Sequence, residues 1–347
     1  DYDWAAAALL MHGVRGSYTG TGAGQSITGV GFQPKLLIIK RVDQDDPVSR
    51  SDASAGTNSY IWNDATGSIS DGITSLDADG FTVGANILVS TNTATYHYMA
   101  FSSDADAVAT GTYTGNGGTQ TISGLGLTPI QVFTFKRDGA APQFGVTTTP
   151  TGGDLSWAWG AGAAPQTGRI TAMGAGSFSV GAQSRVNENL QVFEYVAFAD
   201  VTNTVRNSFT GNGGDPGGGG GTAGFEPVLV FCHPDAAGPS SVSCFRSSTQ
   251  TGTNSWSFSG AQVATGITSF TVNAFITADN GLLDQNTVVY YWMAFGVAVQ
   301  TAGPAPPTPV IPPGTPPGGF FEVPATPYGS YKSTLALHDL YNRARLG

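Results

Sequence analysis

The sequence is short of charge, of sulfur and of glutamate. Only 11% of its 347 residues are Asp, Glu, Lys or Arg, and 24 acidic against 14 basic residues give a formal net charge of −10. The basic residues form no stripe; Lys40–Arg41 and Lys136–Arg137 are isolated pairs. A nucleic acid partner and docking to an anionic membrane are therefore not expected. No apolar run is long enough to span a bilayer as a helix. The start, Asp1 to Ala5, lacks a basic n-region and an initiator Met. It reads as a processed start or as numbering that begins within a longer product.

Two cysteines, Cys232 and Cys244, are too few for a disulfide framework. Their spacing suits either one hairpin-sized disulfide or two unpaired thiols. The four histidines, His12, His97, His233 and His338, have no metal-ligand spacing. Glutamate occurs only at 188, 194, 226 and 322, and most aspartates sit in turn contexts, so no pair of carboxyls flanking a cleft is offered. A G-x-S-x-G elbow and a Walker lysine are missing too. An enzyme is not expected, and neither is a cofactor.

What is abundant is glycine, with 49 residues, among Ser, Thr, Asn and β-branched residues. Such a composition disfavours long helices and favours short strands joined by tight turns. A repeat orders it. Three segments open on an aromatic-Thr-Gly motif, at Tyr18-Thr19-Gly20, Tyr113-Thr114-Gly115 and Phe209-Thr210-Gly211. A proline (Pro34, Pro129, Pro227) then precedes an apolar run (Leu36 to Ile39, Ile130 to Phe133, Val228 to Phe231). Paired aromatics follow at Tyr60/Trp62, Trp157/Trp159 and Trp256/Phe258, and each copy closes on an aromatic strand ending at Phe101, Phe198 or Phe295, 97 residues apart both times.

Short strands separated by Gly, Asn, Asp or Pro turns predict an all-β chain of three tandem β-sandwich, jelly-roll-like domains at 14–103, 108–200 and 204–298, after an N-terminal segment 1–13. A sandwich of about 95 residues has a modest core, so neighbouring copies are expected to help bury each other. Both faces of the closing strand are apolar: Tyr96, Tyr98 and Ala100 on one, His97, Met99 and Phe101 on the other. Such a strand is buried on both sides, either at the centre of a sandwich or against another domain or subunit. Residues 303–319 predict a Pro/Gly-rich arm of roughly 50 Å. In the tail 320–347, Leu337, Leu340, Tyr341 and Ala344 fall at the spacing of a short helix, which would need to dock on something to be ordered.

Candidate sites are few. Tyr60, Trp62, Trp157, Trp159 and Trp256 could stack on a sugar, although recurrence at one place in each copy suits core packing. Asp77 and Asp79 resemble the start of a calcium loop but lack its later ligands; a turn into the strand at Phe81 is the simpler reading. His97 stands where the other copies have Glu194 and Tyr291, as at a tolerant, half-exposed position.

The landmarks Tyr18-Thr19-Gly20, Gly29 to Pro34, Leu76 to Gly84 and the closing Tyr-x-Tyr-x-Ala-Phe strand resemble β-sandwich, lectin-like domains of tailed-bacteriophage virion and tail-fibre proteins, over residues 14 to 298. The third copy departs from that pattern at Cys232-His233 and in its glycine run. The resemblance implies a non-enzymatic protein on the virion surface. It would be a tail fibre or host-attachment protein, with other virion proteins as partners, a host-surface glycan as ligand and a trimer as assembly. The alternatives are a capsid or tail decoration protein anchored through its termini, and a secreted carbohydrate-binding module or depolymerase.

Overall fold

The structure, a computed structural model, describes residues 13–43, 46–62, 68–102, 107–137, 146–148, 156–158, 166–199, 201, 203–213, 220–235, 243–250, 252–257, 262–263, 266–278 and 282–297. Trp159, the side chain of Trp157, the linker 303–319 and the tail with Leu337, Leu340, Tyr341 and Ala344 lie outside the described residues.

In the first repeat the strands are β1 (Gly13–Thr19), β2 (Gln25–Thr28), β3 (Leu36–Arg41), β4 (Val48–Ser51), β5 (Ser59–Ile61), β6 (Ser68–Ile69), β7 (Ile73–Asp77), β8 (Gly80–Val83) and β9 (Thr95–Phe101). They form a six-stranded sheet in the order β1-β9-β3-β4-β5-β6 and a three-stranded sheet in the order β2-β8-β7. Every pairing is antiparallel. The third repeat reproduces both sheets in the same order. The second repeats the pairing of Val108–Thr114, Val192–Ala199 and Pro129–Lys136 and that of Gln120–Ser123, Ser177–Val180 and Ile170–Gly174, with the hairpin Val146–Thr148/Ser156–Ala158 as a separate pair.

Three features of the sequence motif acquire causes. The opening aromatic stacks across the strand pair on the first aromatic of the closing strand: Tyr18 on Tyr96 at 5.1 Å, Tyr113 on Phe193 at 5.2 Å and Phe209 on Tyr290 at 5.1 Å. The glycine two residues later is fixed by close approach. A Cβ on Gly20, Gly115 or Gly211 would stand 2.3, 2.1 or 2.3 Å from a backbone oxygen, of Thr91, Glu188 or Gln285. A serine just before each mid-repeat aromatic, Ser59, Ser156 or Ser255, accepts the backbone N–H of Ile73, Ile170 or Ile267 at 2.7, 3.1 and 3.1 Å, tying the hairpin to the small sheet.

Strand alternation sends successive side chains to opposite faces, and both faces of the large sheet are used. In the first repeat Leu37, Ile39, Tyr96, Tyr98 and Ala100 point into the sandwich, against Ile73, Phe81 and Val83. Leu36, Ile38, Met99 and Phe101 point the other way, into a cluster shared with Phe133, Phe135, Val196 and Phe198 of the second repeat and Leu229, Phe231, Met293 and Phe295 of the third. The closing strand thus faces its own sandwich and the two other repeats at once.

At the middle of that shared cluster the three closing phenylalanines form a triangle. Ring centroids lie 5.4 Å apart for Phe101–Phe198, 5.2 Å for Phe101–Phe295 and 5.0 Å for Phe198–Phe295, with interplanar angles of 68°, 62° and 64°. Each contact is edge-to-face, the arrangement the aromatic quadrupole favours. The three repeats therefore do not sit like beads on a string; they close around one pseudo-threefold axis into one compact unit, ending at Val299.

Candidate functional site

The repeats meet along seams, and the described members of the aromatic pairs, Tyr60, Trp62 and Trp256, lie in them. Tyr60 and Trp62 are each 2% exposed and Trp256 1%. Tyr60 packs on Phe135 at 5.2 Å, and Trp62 on Phe133 at 5.5 Å and Phe231 at 6.0 Å, with its indole N–H donated to Ser49 Oγ at 2.8 Å. Trp256 packs on Phe245 at 5.2 Å and His97 at 5.1 Å. Their ring faces are covered, so the sugar-stacking role is corrected for these three residues: they are the wedge by which one repeat's hairpin seats on the next repeat's sheet. Arg50 and Arg246, which the sequence did not single out, lock those hairpins. Arg50 donates to the carbonyls of Gly56 and Asn58 at 2.6 Å each, and Arg246 to those of Gly252, at 2.6 Å, and Asn254.

At position 97/194/291 the expected half-exposure holds for His97 and Tyr291 but not for the buried Glu194, and Glu194 and His97 make polar contacts across two of the seams. Glu194, 1% exposed, accepts the hydroxyls of Ser51 and Ser54 from the first repeat, the latter at 2.8 Å, and Arg137 Nη2 stands 3.9 Å from its second oxygen. Arg137 also donates to the carbonyl of Ala53 at 2.7 Å. Burial raises the Glu194 pKa above the usual carboxylate value, against the opposing pull of Ser51, Ser54, Tyr60 and Arg137. At the seam that closes the ring, His97 Nδ1 bonds Thr249 Oγ1 of the third repeat at 2.9 Å, and burial lowers the His97 pKa. Tyr291 donates its hydroxyl to Asp235 at 3.4 Å within the third repeat. Three different side chains at one register position answer to different neighbours.

A neutral amide keeps the oxygen that Ser51 and Ser54 need, whereas truncation strands buried donors. Glu194→Ala is therefore expected to destabilise the protein by about 2–4 kcal/mol and Glu194→Gln by less than about 1 kcal/mol. Urea denaturation of the two variants checks this; equal losses would remove the seam role from the carboxylate oxygen.

Asp77 takes the hydroxyls of Ser75 and Thr82, each at 2.8 Å, and Asp79 the backbone N–H groups of Gly29 and Gly31 at 3.2 and 2.6 Å. Both carboxylates are thus occupied with turn construction. Among the described residues no group of three or more His, Cys, Asp or Glu could hold a metal ion. Cys232 and Cys244 lie opposite each other on paired strands as buried thiols, and the hairpin disulfide is not formed. Burial pushes the Cys244 thiol up to about 12 and that of Cys232 well above its ordinary value, which leaves both as inert core thiols.

The exposed surface carries one feature repeated in register. At the ends of the closing strands remote from the phenylalanine triangle, Asn92-Thr93, Asn189-Leu190 and Asn286-Thr287 form exposed tips. Thr93, Leu190 and Thr287 hold left-handed φ values of 64°, 63° and 68°, a conformation that costs a β-branched residue. The strands are seven to nine residues long, so the tips stand about 20 Å from the triangle. At the triangle end, Gly13 pairs with Phe101, while Val297 lies two residues beyond Phe295. The described unit therefore begins and ends at one pole, opposite its three tips.

Over residues 12–112, which take in the first repeat and the opening of the second, the chain is similar to a family described as a domain of unknown function, DUF7483. No curated protein matches the chain.

Proposed function

We propose that the protein is a non-enzymatic component of a bacteriophage particle, displayed on the virion surface for host attachment. The observation that carries this reading is polarity: the described unit begins and ends at one pole, while three equivalent tips occupy the other. A head held from one end presents its free end as a trivalent surface, and trivalency raises weak single contacts to useful avidity. The resemblance of the repeat landmarks to virion and tail-fibre domains supports the same reading. The closing strands, whose second apolar face called for a sandwich centre, another domain or another subunit, spend that face within one chain. A symmetric trimer would then be built through residues 303–347.

Deleting residues 303–347 is expected to leave the three repeats folded and to abolish incorporation into the particle. Electron cryo-microscopy of particles carrying the deletion reads this, and normal incorporation would end the anchor reading. In wild-type particles, three chains about one axis at the tip of an appendage support the fibre form. Single chains lying flat on a shell or tube would instead make the protein a decoration protein. For attachment, the triple variant Asn92→Ala, Asn189→Ala, Asn286→Ala is expected to keep its melting temperature within about 2 °C, since exposed substitutions cost little. It should adsorb to host cells at least tenfold more weakly; unchanged adsorption would take the tips out of the contact surface.

A further inference from the structure

One buried position near the tips changes its chemistry from copy to copy. Ser90, Asn187 and Asp284 are equivalent: the carbonyl of each accepts the backbone N–H of a glycine in the opening turn, Gly22, Gly117 or Gly213, at 2.7, 3.0 and 3.0 Å. All three side chains are buried, Asp284 with 0% exposure. Ser90 donates its hydroxyl to the Ala23 carbonyl at 2.6 Å. Asn187 donates its Nδ2 to Asn116 Oδ1 at 3.0 Å, to the Gly181 carbonyl at 3.1 Å and to the carbonyl of Gly118, the counterpart of Ala23. The first two copies thus hold a donor against acceptor oxygens.

The third copy keeps the frame and loses the donor. Asp284 Oδ1 accepts the N–H of Asn212 at 2.8 Å, as Asn187 Oδ1 accepts that of Asn116 at 2.9 Å. Ala278 takes the place of Gly181, its N–H donated to Gly266 at 2.8 Å as that of Gly181 is to Arg169 at 2.7 Å. Asp284 Oδ2 therefore stands where the second copy has an amide NH2, and a carboxylate oxygen cannot donate. It is buried with no hydrogen-bond partner, and Asp284 enters no ion pair among the described residues. A buried carboxylate oxygen facing other oxygens is costly unless a positive charge lies between them. Spacings of 3.0 and 3.1 Å, those of this contact in the second copy, fit the oxygen–oxygen edges of a shell with bonds of about 2.3–2.6 Å, the calcium range. One carboxylate among neutral oxygens suits a hard cation rather than zinc or copper.

We propose that the third copy binds one calcium-type cation at Asp284 Oδ2, with the amide oxygen of Asn212 and the carbonyl of Ala278 as neutral ligands and water completing the shell. The ion does there what the Asn187 amide does in the second copy: it ties the opening turn to the chain just before the tip. The inference is independent of the virion reading, because it rests on one copy's departure from the other two. With a single charge in the shell, the affinity belongs at the weak end for calcium, about 10⁻⁴–10⁻³ M.

The test uses the full chain, stripped with EDTA and dialysed free of it, with calcium chloride alone as the probe. Calorimetric titration is expected to give saturable one-site binding in that affinity range. At about 10 mM calcium the melting temperature should rise by about 2–6 °C. Asp284→Asn restores the second copy's amide and Asp284→Ser the first copy's hydroxyl. Both variants should bind calcium at least tenfold more weakly, melt in EDTA no lower than the wild type and show no calcium shift. Should neither fold, Asn212→Ala decides: this residue is exposed, and its loss should weaken calcium roughly tenfold. No saturable calcium binding by the wild type, the result if water alone serves that oxygen, would overturn the site. So would a calcium response of wild-type size in the variants, which would place the ion elsewhere on the chain.

Discussion

Phe198→Ala lowers the stability of all three repeats together, by about 3–5 kcal/mol, in a single unfolding transition. That magnitude is typical of deleting a buried phenylalanine from a packed core. Phe198 is 2% exposed and touches both other members of the triangle as well as Phe133, at 6.1 Å. Removing it opens a cavity at the one place where the three repeats meet, so no repeat is spared. The triangle should also couple. In a double-mutant cycle, Phe101→Ala and Phe198→Ala are expected to interact by about 0.5–1.5 kcal/mol, the worth of an edge-to-face pair beyond its area. Urea unfolding followed by tryptophan fluorescence and by circular dichroism reads both quantities. Several separate transitions, of which Phe198→Ala shifts only one, would show three independent domains and refute the shared core.

Acid destabilises the protein through His233. This side chain is 2% exposed on the strand Glu226–Pro234, paired in register with Tyr291 and bonded through Nδ1 to Ser243 Oγ. Burial pulls its pKa from 6.5 down to about 3. The unfolded chain takes up this proton below its ordinary value and the folded chain only near the depressed one. The contribution is therefore present above about pH 6.5 and is lost as pH falls toward 3, on the order of 5 kcal/mol over the whole window. His97, also depressed by burial, pulls the same way. Glu194 and Asp235, whose pKa values burial raises, bind protons more readily in the folded state and partly offset the loss below their raised values. His233→Gln should flatten the dependence between pH 6.5 and 4.5. Urea midpoints at the two pH values, with and without the substitution, give the comparison; the same drop in both proteins would assign the acid sensitivity elsewhere.

Much of this was written in the sequence, and the part that was not has a common cause. The strands, their turns, the aromatic-Thr-Gly opening and the 97-residue recurrence depend on local rules: alternation along a strand, tight turns at glycine, and a proline leading into an apolar run. They were legible at Tyr18, Gly20 and Pro34. The two apolar faces of Tyr96 to Phe101 also announced that the closing strand is buried twice over. Alternation records only that a face is covered, however, and not by what. That the second face of each large sheet meets the other two repeats, rather than another chain, depends on contacts between residues roughly a hundred positions apart. Those contacts decided the rest. Tyr60, Trp62 and Trp256 became wedges rather than platforms, and Glu194 and His97, which looked interchangeable, became partners of particular serines and a threonine. The sequence by itself determined the repeating sandwich, since its forces act between near neighbours. Only the tertiary structure decided that three sandwiches share one core, because burying the leftover apolar face of each sheet requires the other two.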